Sequence, residues 1–438
     1  MPRMILNQLR NYVLAVLACL LLSLPSARAQ SSATYNLAAI HFVGLQRYTA
    51  EQGIAASGLH IGSSVVLGDL QSAAQRLSQS GAFDSVSFQY STRGNDLTAK
   101  FGVTETKDVL PCIFDNFVWF SDADLDRELR RRVPLYTGES PVRGDTVDQI
   151  RGALQDLLRA NGIAGDVGEL PYGPLGKLVG LLFHVDGISQ PIKSIAFSGE
   201  AAVSDKQLLV ASTTLANQDF SVTNVASYAS SALLPLYYER GYLRSQFGRA
   251  KVSPLDPNTK GPATEVCITL PVVEGNQYSW NGATWSGNRA LSTGELIKAL
   301  GMNQQEVANQ LKIDAGFANT RKTYLSQGYI NVQIDPQRAL DDAAKLASYS
   351  VQINEGSQFH MGKIVFEGLP AAAAGALVKK WKLNPGDVYD ATYLLDFLKN
   401  TAPRELAQQG VTYHTTATKE TPDPSALIVN VRIQFRER

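Results

Sequence analysis

A helical pattern that ends in glycine and leads at once into a short alternating segment recurs five times along the 438-residue chain. Glycine in this place adopts the left-handed backbone conformation that ends a helix without strain on a Cβ atom. Consecutive copies are 79 to 87 residues apart. Such a constant spacing predicts a tandem array of small structural units. The five repeat glycines are Gly81, Gly162, Gly241, Gly328 and Gly410.

Each repeat is predicted to have the element order β-α-α-β-β. An alternating segment with a glycine near its end, such as residues 40–44, gives the first strand. Two amphipathic helices follow, and residues 69–80 place Leu70, Ala73 and Leu77 on one helical face. The strand after the repeat glycine and a third, apolar strand complete the unit. The predicted fold class is α+β, with two helices covering one face of a three-stranded mixed sheet.

The predicted repeats fill nearly all of the chain after its N-terminal segment. We expect an elongated array of compact modules, joined by short linkers such as residues 274–276. Repeat 2 is the most divergent, because residues 117–120 replace the strand-ending glycine. The predicted segments are a signal peptide at 1–29, repeat 1 at 35–106, repeat 2 at 107–188, repeat 3 at 189–275, repeat 4 at 276–357 and repeat 5 at 358–436.

The first 29 residues are predicted to be a cleavable signal peptide. Arg3 and Arg10 precede an apolar run at residues 12–24, which is too short to span a bilayer, and residues 27–29 form a small-x-small cleavage site. A membrane anchor and a lipoprotein signal at Cys19 are the less favoured interpretations. Cleavage would leave 37 basic against 40 acidic residues. The mature chain is therefore predicted to be exported and mildly acidic.

Composition and motifs argue against a nucleic-acid binder and against an enzyme. The 40 Lys and Arg residues equal the 40 Asp and Glu residues, and no basic tract appears. The five histidines lack a second ligand at metal-binding spacing, and residues 121–126 lack the glycine and glutamate of a calcium loop. No nucleophile, redox or phosphate-binding motif occurs. We expect no cofactor, no metal and no small-molecule substrate, and an exported enzyme is only the third alternative.

Cys112 and Cys267 are the two cysteines that follow the predicted cleavage site. Each lies in an apolar run within a predicted strand, and the two strands belong to separate repeats. An oxidising compartment permits them to pair. The sequence nevertheless favours two buried thiols over a disulfide, because free cysteine behaves as a small apolar residue.

The serial arrangement resembles the POTRA repeat proteins, the periplasmic part of BamA-type outer-membrane assembly factors and related translocation pores. The resemblance rests on the element order, on Phe-x-Gly at residues 42–44, 197–199 and 366–368, and on similar linkers at 273–278 and 353–359. It implies a non-enzymatic role in outer-membrane protein assembly, at the periplasm or the periplasmic face of the outer membrane. The implied partners are unfolded outer-membrane proteins or subunits of an assembly complex, with the outer-membrane surface as a further candidate.

The chain departs from the pore-forming members of this family after its last repeat, and this departure distinguishes two possible functions. Pore-forming members place a transmembrane β-barrel after the last repeat, whereas only three residues follow Phe435 here. We therefore expect a scaffold or chaperone-like module without a barrel. The alternative is the periplasmic half of a polypeptide-transport pore whose barrel is missing from this chain.

Strand edges are the candidate partner-binding sites. A hairpin buries the third strand between its neighbours, which leaves the strand after the repeat glycine at an edge. Unpaired backbone groups at an edge bind an extended segment of another protein by β-augmentation. The alternative is that neighbouring repeats guard these edges. The candidate residues are Val86, Phe88, Tyr90, Leu243, Phe247, Tyr329, Val332, Val411 and Tyr413.

Overall fold

The computed structural model describes residues 33–255, 265–410 and 412–437, so the predicted signal peptide lies outside the described residues. The chain divides into two compact units, one ending at Ile188 and the other beginning at Ser189. The described residues form five sheets, and each predicted repeat contains one of them. In every sheet the third long strand is central, parallel to the first strand and antiparallel to the second.

Repeat 1 packs two helices on one face of its sheet. Leu70, Ala73 and Leu77 of the second helix are fully buried against that face, as their helical spacing predicts. Thr49 begins the first helix with a reciprocal capping box to Gln52. The elements are β1 (Tyr35–Val43), α1 (Ala50–Ser57), β2 (Ser64–Val65), α2 (Leu67–Gln79), β3 (Phe83–Arg93) and β4 (Asp96–Glu105).

Repeat 2 has a separate apolar core, which is centred on Phe183. Its divergence is local: the first strand ends at Phe114, and Phe117 turns back into the core where the other repeats have a glycine. Leu135 of this repeat packs in the core of repeat 1. The elements are β5 (Val109–Phe114), α3 (Asp122–Arg132), β6 (Glu139–Pro141), α4 (Asp145–Ala160), β7 (Asp166–Tyr172) and β8 (Gly180–Asp186).

Repeat 3 has an interrupted second helix and an interrupted second strand. The helix contains a π-turn at Ala229–Leu233 just before Pro235, because proline cannot donate the amide that a continuous α-helix needs. The elements are β9 (Ile192–Ser198), α5 (Asp205–Ala211), α6 (Val222–Tyr228), α7 (Leu234–Tyr238), β10 (Gln246–Phe247), β11 (Lys251–Pro254) and β12 (Val266–Val273).

Repeats 4 and 5 have the three-stranded sheets that the sequence predicts. In repeat 5 a second π-turn, Phe397–Thr401, again lies just before a proline, Pro403. Repeat 4 consists of β13 (Ser279–Ser286), α8 (Thr293–Leu300), α9 (Gln310–Ser326), β14 (Gln333–Asp341) and β15 (Leu346–Asn354). Repeat 5 consists of β16 (His360–Glu367), α10 (Ala371–Lys380), α11 (Tyr393–Asp396), α12 (Ala402–Gln408), β17 (Tyr413–Asp423) and β18 (Ile428–Glu437).

The prediction of three strands is wrong for the first three sheets, which have four each. In repeats 1 and 2 the segment between the helices forms an extra short strand, β2 or β6, beside the first strand. In repeat 3 the break between β10 and β11 divides one edge strand into two. The segment between the helices still makes one bridge to the first strand in repeats 3, 4 and 5, at Pro191–Asp219, Ser279–Val307 and His360–Val388.

Cys112 and Cys267 are free thiols and half-buried, in β5 and β12 respectively. Burial, with smaller contributions from Glu139 and Asp126, raises the pKa of the Cys112 thiol to about 12. This thiol is therefore protonated and unreactive at neutral pH. Within the part of the chain that the structure describes, no helix combines the length and apolar character that crossing a bilayer requires.

Candidate functional site

The repeat glycines place the second strand, and all five have positive φ, between 66° and 81°. Three of them also touch the following repeat closely. A Cβ atom on Gly241 would lie 2.7 Å from the Tyr278 carbonyl oxygen, and one on Gly328 would lie 2.5 Å from that of Phe359. A Cβ on Gly81 would overlap the carbonyl of Arg143. These glycines therefore end a helix and also admit the backbone of the next repeat.

The glutamate of each Glu-Gly linker accepts two backbone amides of a loop. Glu274 accepts the Ala201 and Ala202 amides, and Glu355 accepts those of Arg289 and Ala290 at 2.7 and 2.9 Å. Burial raises the pKa of Glu355, but these amides and the Tyr324 hydroxyl outweigh it, so the net pKa is lowered. The linker glutamates therefore hold the loop after the first strand of their own repeat.

The strand after the repeat glycine lies at the edge of its sheet in all five repeats. The edge strands are β3, β7, β14 and β17, and the divided pair β10 and β11. On the opposite side, the segment between the helices covers the beginning of the first strand. The sequence does not predict this covering of the first strand, because one to three paired residues have no periodicity to detect. In repeats 1, 2, 4 and 5 the second strand is consequently the longer unpaired edge of the sheet.

Proline distinguishes the five edges. Proline has no amide to donate, so it is tolerated in an edge strand but reduces its pairing capacity. Pro171 lies in β7, Pro254 ends β11 and Pro336 lies in the middle of β14. The eleven residues of β3 contain no proline, and β17 has one only near its end, Pro422. Of the described edges, β3 and β17 therefore offer the longest uninterrupted rows of backbone groups.

Val86, Phe88 and Tyr90 lie on β3 in one alternating row. Val86 and Phe88 pack partly against the repeat 1 core, with the Phe88 ring centroid 6.2 Å from that of Phe101. Tyr90 is 47% exposed. The backbone edge of β3 is thus the candidate contact surface, and the side chains of Val86 and Phe88 hold the strand to its own core.

Three of the candidate residues do not lie in edge strands, which corrects the prediction. Leu243 is in a turn and only 2% exposed, within the core of repeat 4. Tyr329 and Val332 precede β14, and Val332 is 1% exposed. Their side chains therefore belong to cores and not to a partner-binding surface.

The turn after the glycine explains this error. The amide of Tyr242 donates to the carbonyl of Tyr237, and that of Tyr329 to the carbonyl of Tyr324, both at 3.1 Å. The amide of each glycine also donates to the carbonyl three residues back. The two bonds together form the Schellman motif, in which the residue after the glycine contacts the last turn of the helix. The Tyr237–Tyr242 and Tyr324–Tyr329 rings indeed pack edge to face. The aromatic residue after the glycine thus completes the helix end and does not start a strand.

The remaining candidates lie in repeats 3 and 5. Phe247 is on β10, where its ring packs between Phe197 and Tyr237. Tyr413 begins β17 and packs against the repeat 5 core. Val411 lies outside the described residues. The described candidates therefore lie in repeats 1, 3, 4 and 5.

A comparison with family models matches one of the five repeats. Residues 278–356, which comprise repeat 4, match the POTRA model, described as "Surface antigen variable number repeat". This repeat therefore matches a POTRA domain. Among all the residues that the structure describes, there is no group of three or more His, Cys, Asp or Glu side chains arranged to hold a metal.

One curated relative is named for outer-membrane protein assembly. A curated protein of Treponema pallidum (strain Nichols), named as an outer membrane protein assembly factor, is 29% identical over 178 residues. The match covers 40% of this chain and 21% of that protein, so the chain spans about a fifth of the relative's length.

Two solved structures are also similar at low identity. POTRA domains 3–5 of Haemophilus influenzae BamA are 19% identical, with a TM-score of 0.42, and the match covers 57% of this chain and 96% of that one. The N-terminal domain of Omp85 from Thermosynechococcus elongatus is 10% identical, with a TM-score of 0.20, covering 74% and 98%.

Proposed function

We propose that this chain is a non-enzymatic periplasmic scaffold in outer-membrane protein assembly, built of five POTRA modules. The POTRA match to repeat 4 and the assembly-factor relative support the general role. The common strand order of the five sheets supports extending the POTRA assignment to the other four repeats. The proposed location is the periplasm or the periplasmic face of the outer membrane.

The proposed activity is capture of an extended partner segment by β-augmentation. The partners are unfolded outer-membrane proteins or subunits of an assembly complex. Pairing through the backbone tolerates many client sequences, because every residue except proline offers the same amide and carbonyl. The observation that carries the proposal is the pair of long edges at β3 and β17, each eleven residues long.

Side-chain exposure along these two edges fits a docking function. From Ser91 to Arg93 and along most of β17, the side chains are exposed and polar. Charged and polar edge residues limit uncontrolled association of edges between folded proteins. An incoming segment would therefore be held mainly by backbone hydrogen bonds, and it would be released readily.

Gln89 and Gln337 provide a matched pair of positions for testing the proposal. Gln89 on β3 pairs in register with Lys100, and Gln337 on β14 pairs with Ser350 at the equivalent position of repeat 4. Both are exposed. Gln337 directly follows Pro336, whereas β3 has no proline.

The experiment places a photo-crosslinking amino acid at one of these positions in the full chain, within cells that export it. We expect an outer-membrane protein in transit to crosslink at Gln89 at least several times more strongly than at Gln337. Equal crosslinking at the two positions, or crosslinking that reaches no outer-membrane or assembly protein, would contradict the proposal.

A further inference from the structure

The outward sheet face of repeat 5 contains a cavity of about 850 Å³. Three cationic side chains line it, Lys363 on β16, Lys419 on β17 and Arg432 on β18. Val365 and Ile428 supply apolar surface between them, and the cavity is within the size range of small-ligand sites. We call this cavity the cationic pocket.

Strand register places two of these cations side by side. Arg432 pairs with Lys419 on one side and with Val365 on the other, so the three form one row across the sheet. Like charges directly opposite each other on neighbouring strands destabilise a sheet. Arg432 has one counter-ion, Glu367, at 3.4 Å. In the described ranges, no carboxylate lies within 4.0 Å of the Lys363 or Lys419 ammonium group.

The third cation is positioned by the backbone. A register shift between Met361 and Ile364 bulges β16 at Lys363. The side-chain oxygen of Asn430, on the neighbouring strand, accepts the Lys363 amide at 2.8 Å. The bulge therefore keeps Lys363 on the same outward face as Lys419 and Arg432.

Repeat 4 shows that the fold itself does not require these charges. Its equivalent row is Thr284, Ser350 and Gln337, all uncharged. Repeats 4 and 5 have the same three-strand topology. A locally unfavourable charge arrangement that the fold does not need is typical of a binding site.

We propose that the cationic pocket binds an anionic glycerophospholipid. Three converging cations suit a phosphate group, and the apolar surface of Val365 and Ile428 suits the beginning of an acyl chain. Strand β18 is paired on both sides, so the centre of the pocket offers side chains and no free backbone. This favours a lipid over an acidic peptide, because a peptide binds a sheet mainly through its backbone.

The test uses the chain from Gln30 onward and calorimetric titration with dihexanoyl-phosphatidylglycerol. We expect binding that weakens with added salt. Each basic group near an anionic lipid contributes about fivefold in affinity, so the variant K363Q/K419Q should bind roughly thirtyfold more weakly. Its melting temperature should hold or rise, because the substitution removes like-charge repulsion.

Matched controls separate the outcomes. The variant K100Q/K251Q removes two exposed lysines from the sheets of repeats 1 and 3 and should retain wild-type binding. The proposal is overturned if both variants lose affinity equally or if neither does. It is also overturned if inorganic phosphate, dihexanoyl-phosphatidylcholine or a hexaglutamate peptide binds as tightly as the anionic lipid.

Discussion

At the scale of single residues, the repeat glycines meet two separate demands. Gly162 and Gly410 have open space where a Cβ atom would lie, so only their positive φ favours glycine. Gly241 and Gly328 add a close approach to the backbone of the next repeat. The carbonyl of Gly328 also accepts the Phe359 amide at 2.8 Å. One residue type in one sequence position thus has a local role in some repeats and a joining role in others.

Substituting alanine should separate these two roles. The variant Gly410→Ala should lose about 1–2 kcal/mol, the cost of a left-handed residue with a Cβ atom. The variant Gly328→Ala should lose about 3 kcal/mol or more, because its Cβ would also press on the Phe359 carbonyl. Urea unfolding followed by tryptophan fluorescence measures both. Equal losses would show that the contact with Phe359 relaxes without cost.

At the scale of elements, the sequence predicts the regular segments well. In repeat 1 the apolar alternation of residues 97–103 predicts the third strand, which the structure places at Asp96–Glu105. The helix at residues 69–80 is Leu67–Gln79. Continuous apolar alternation and helical spacing carry these predictions, because burial against a core imposes both patterns.

The irregular elements could not be predicted in the same way. Tyr242 and Tyr329 resemble the start of an alternating strand, yet their amides bond back to the preceding helix. The bridges between the first strand and the segment between the helices depend on tertiary pairing alone. For the candidate site, edge position follows from the strand order. The residues that face a partner can be identified only when the turn after the repeat glycine and the register of the edge strand are known.

Replacing the proline in the edge strand β14 should increase the capacity of that edge to pair with a partner segment. The variant Pro336→Thr returns a backbone donor to the middle of β14, and threonine favours strand conformation. We expect photo-crosslinking at Gln337 to rise toward the level at Gln89, since both edges would then be uninterrupted. The matched variant Gln337→Thr retains the proline and should leave the edge inactive, with crosslinking read from position 335. No gain in the proline variant would show that something other than proline closes this edge.

At the scale of the molecule, core boundaries differ from repeat boundaries. Leu243 belongs to repeat 3 by sequence and to the repeat 4 core by packing, and Ile330 of repeat 4 packs against the repeat 5 core. Arg244 donates to the Tyr278 hydroxyl at 3.1 Å and pairs with Asp342 at 3.0 Å. Repeats 3 to 5 therefore share side chains across their borders within one compact unit.

Two fragments should show the effect of this sharing. Residues 189–438 begin at the start of a compact unit and should unfold at the urea midpoint that this unit has in the full chain. Residues 276–438 lack Leu243, so repeat 4 should lose about 2–5 kcal/mol, as for a truncated core leucine. The variant Leu243→Ala in the longer fragment should reproduce most of that loss. Equal stability of the two fragments would mean that the repeat 4 core closes without Leu243.

The placement of Leu243 also sets an order of events. A polypeptide emerges N-terminus first, whether from the ribosome or from an export channel. Repeat 3 therefore appears with Leu243 still in water, and that side chain becomes buried only when residues of repeat 4 such as Trp280 and Tyr349 arrive. Repeat 3, and likewise repeat 4 through Ile330, thus exposes an apolar side chain until its successor is complete. Assembly of the array would proceed in one direction, and a chain arrested between repeats would display an apolar end to chaperones and proteases.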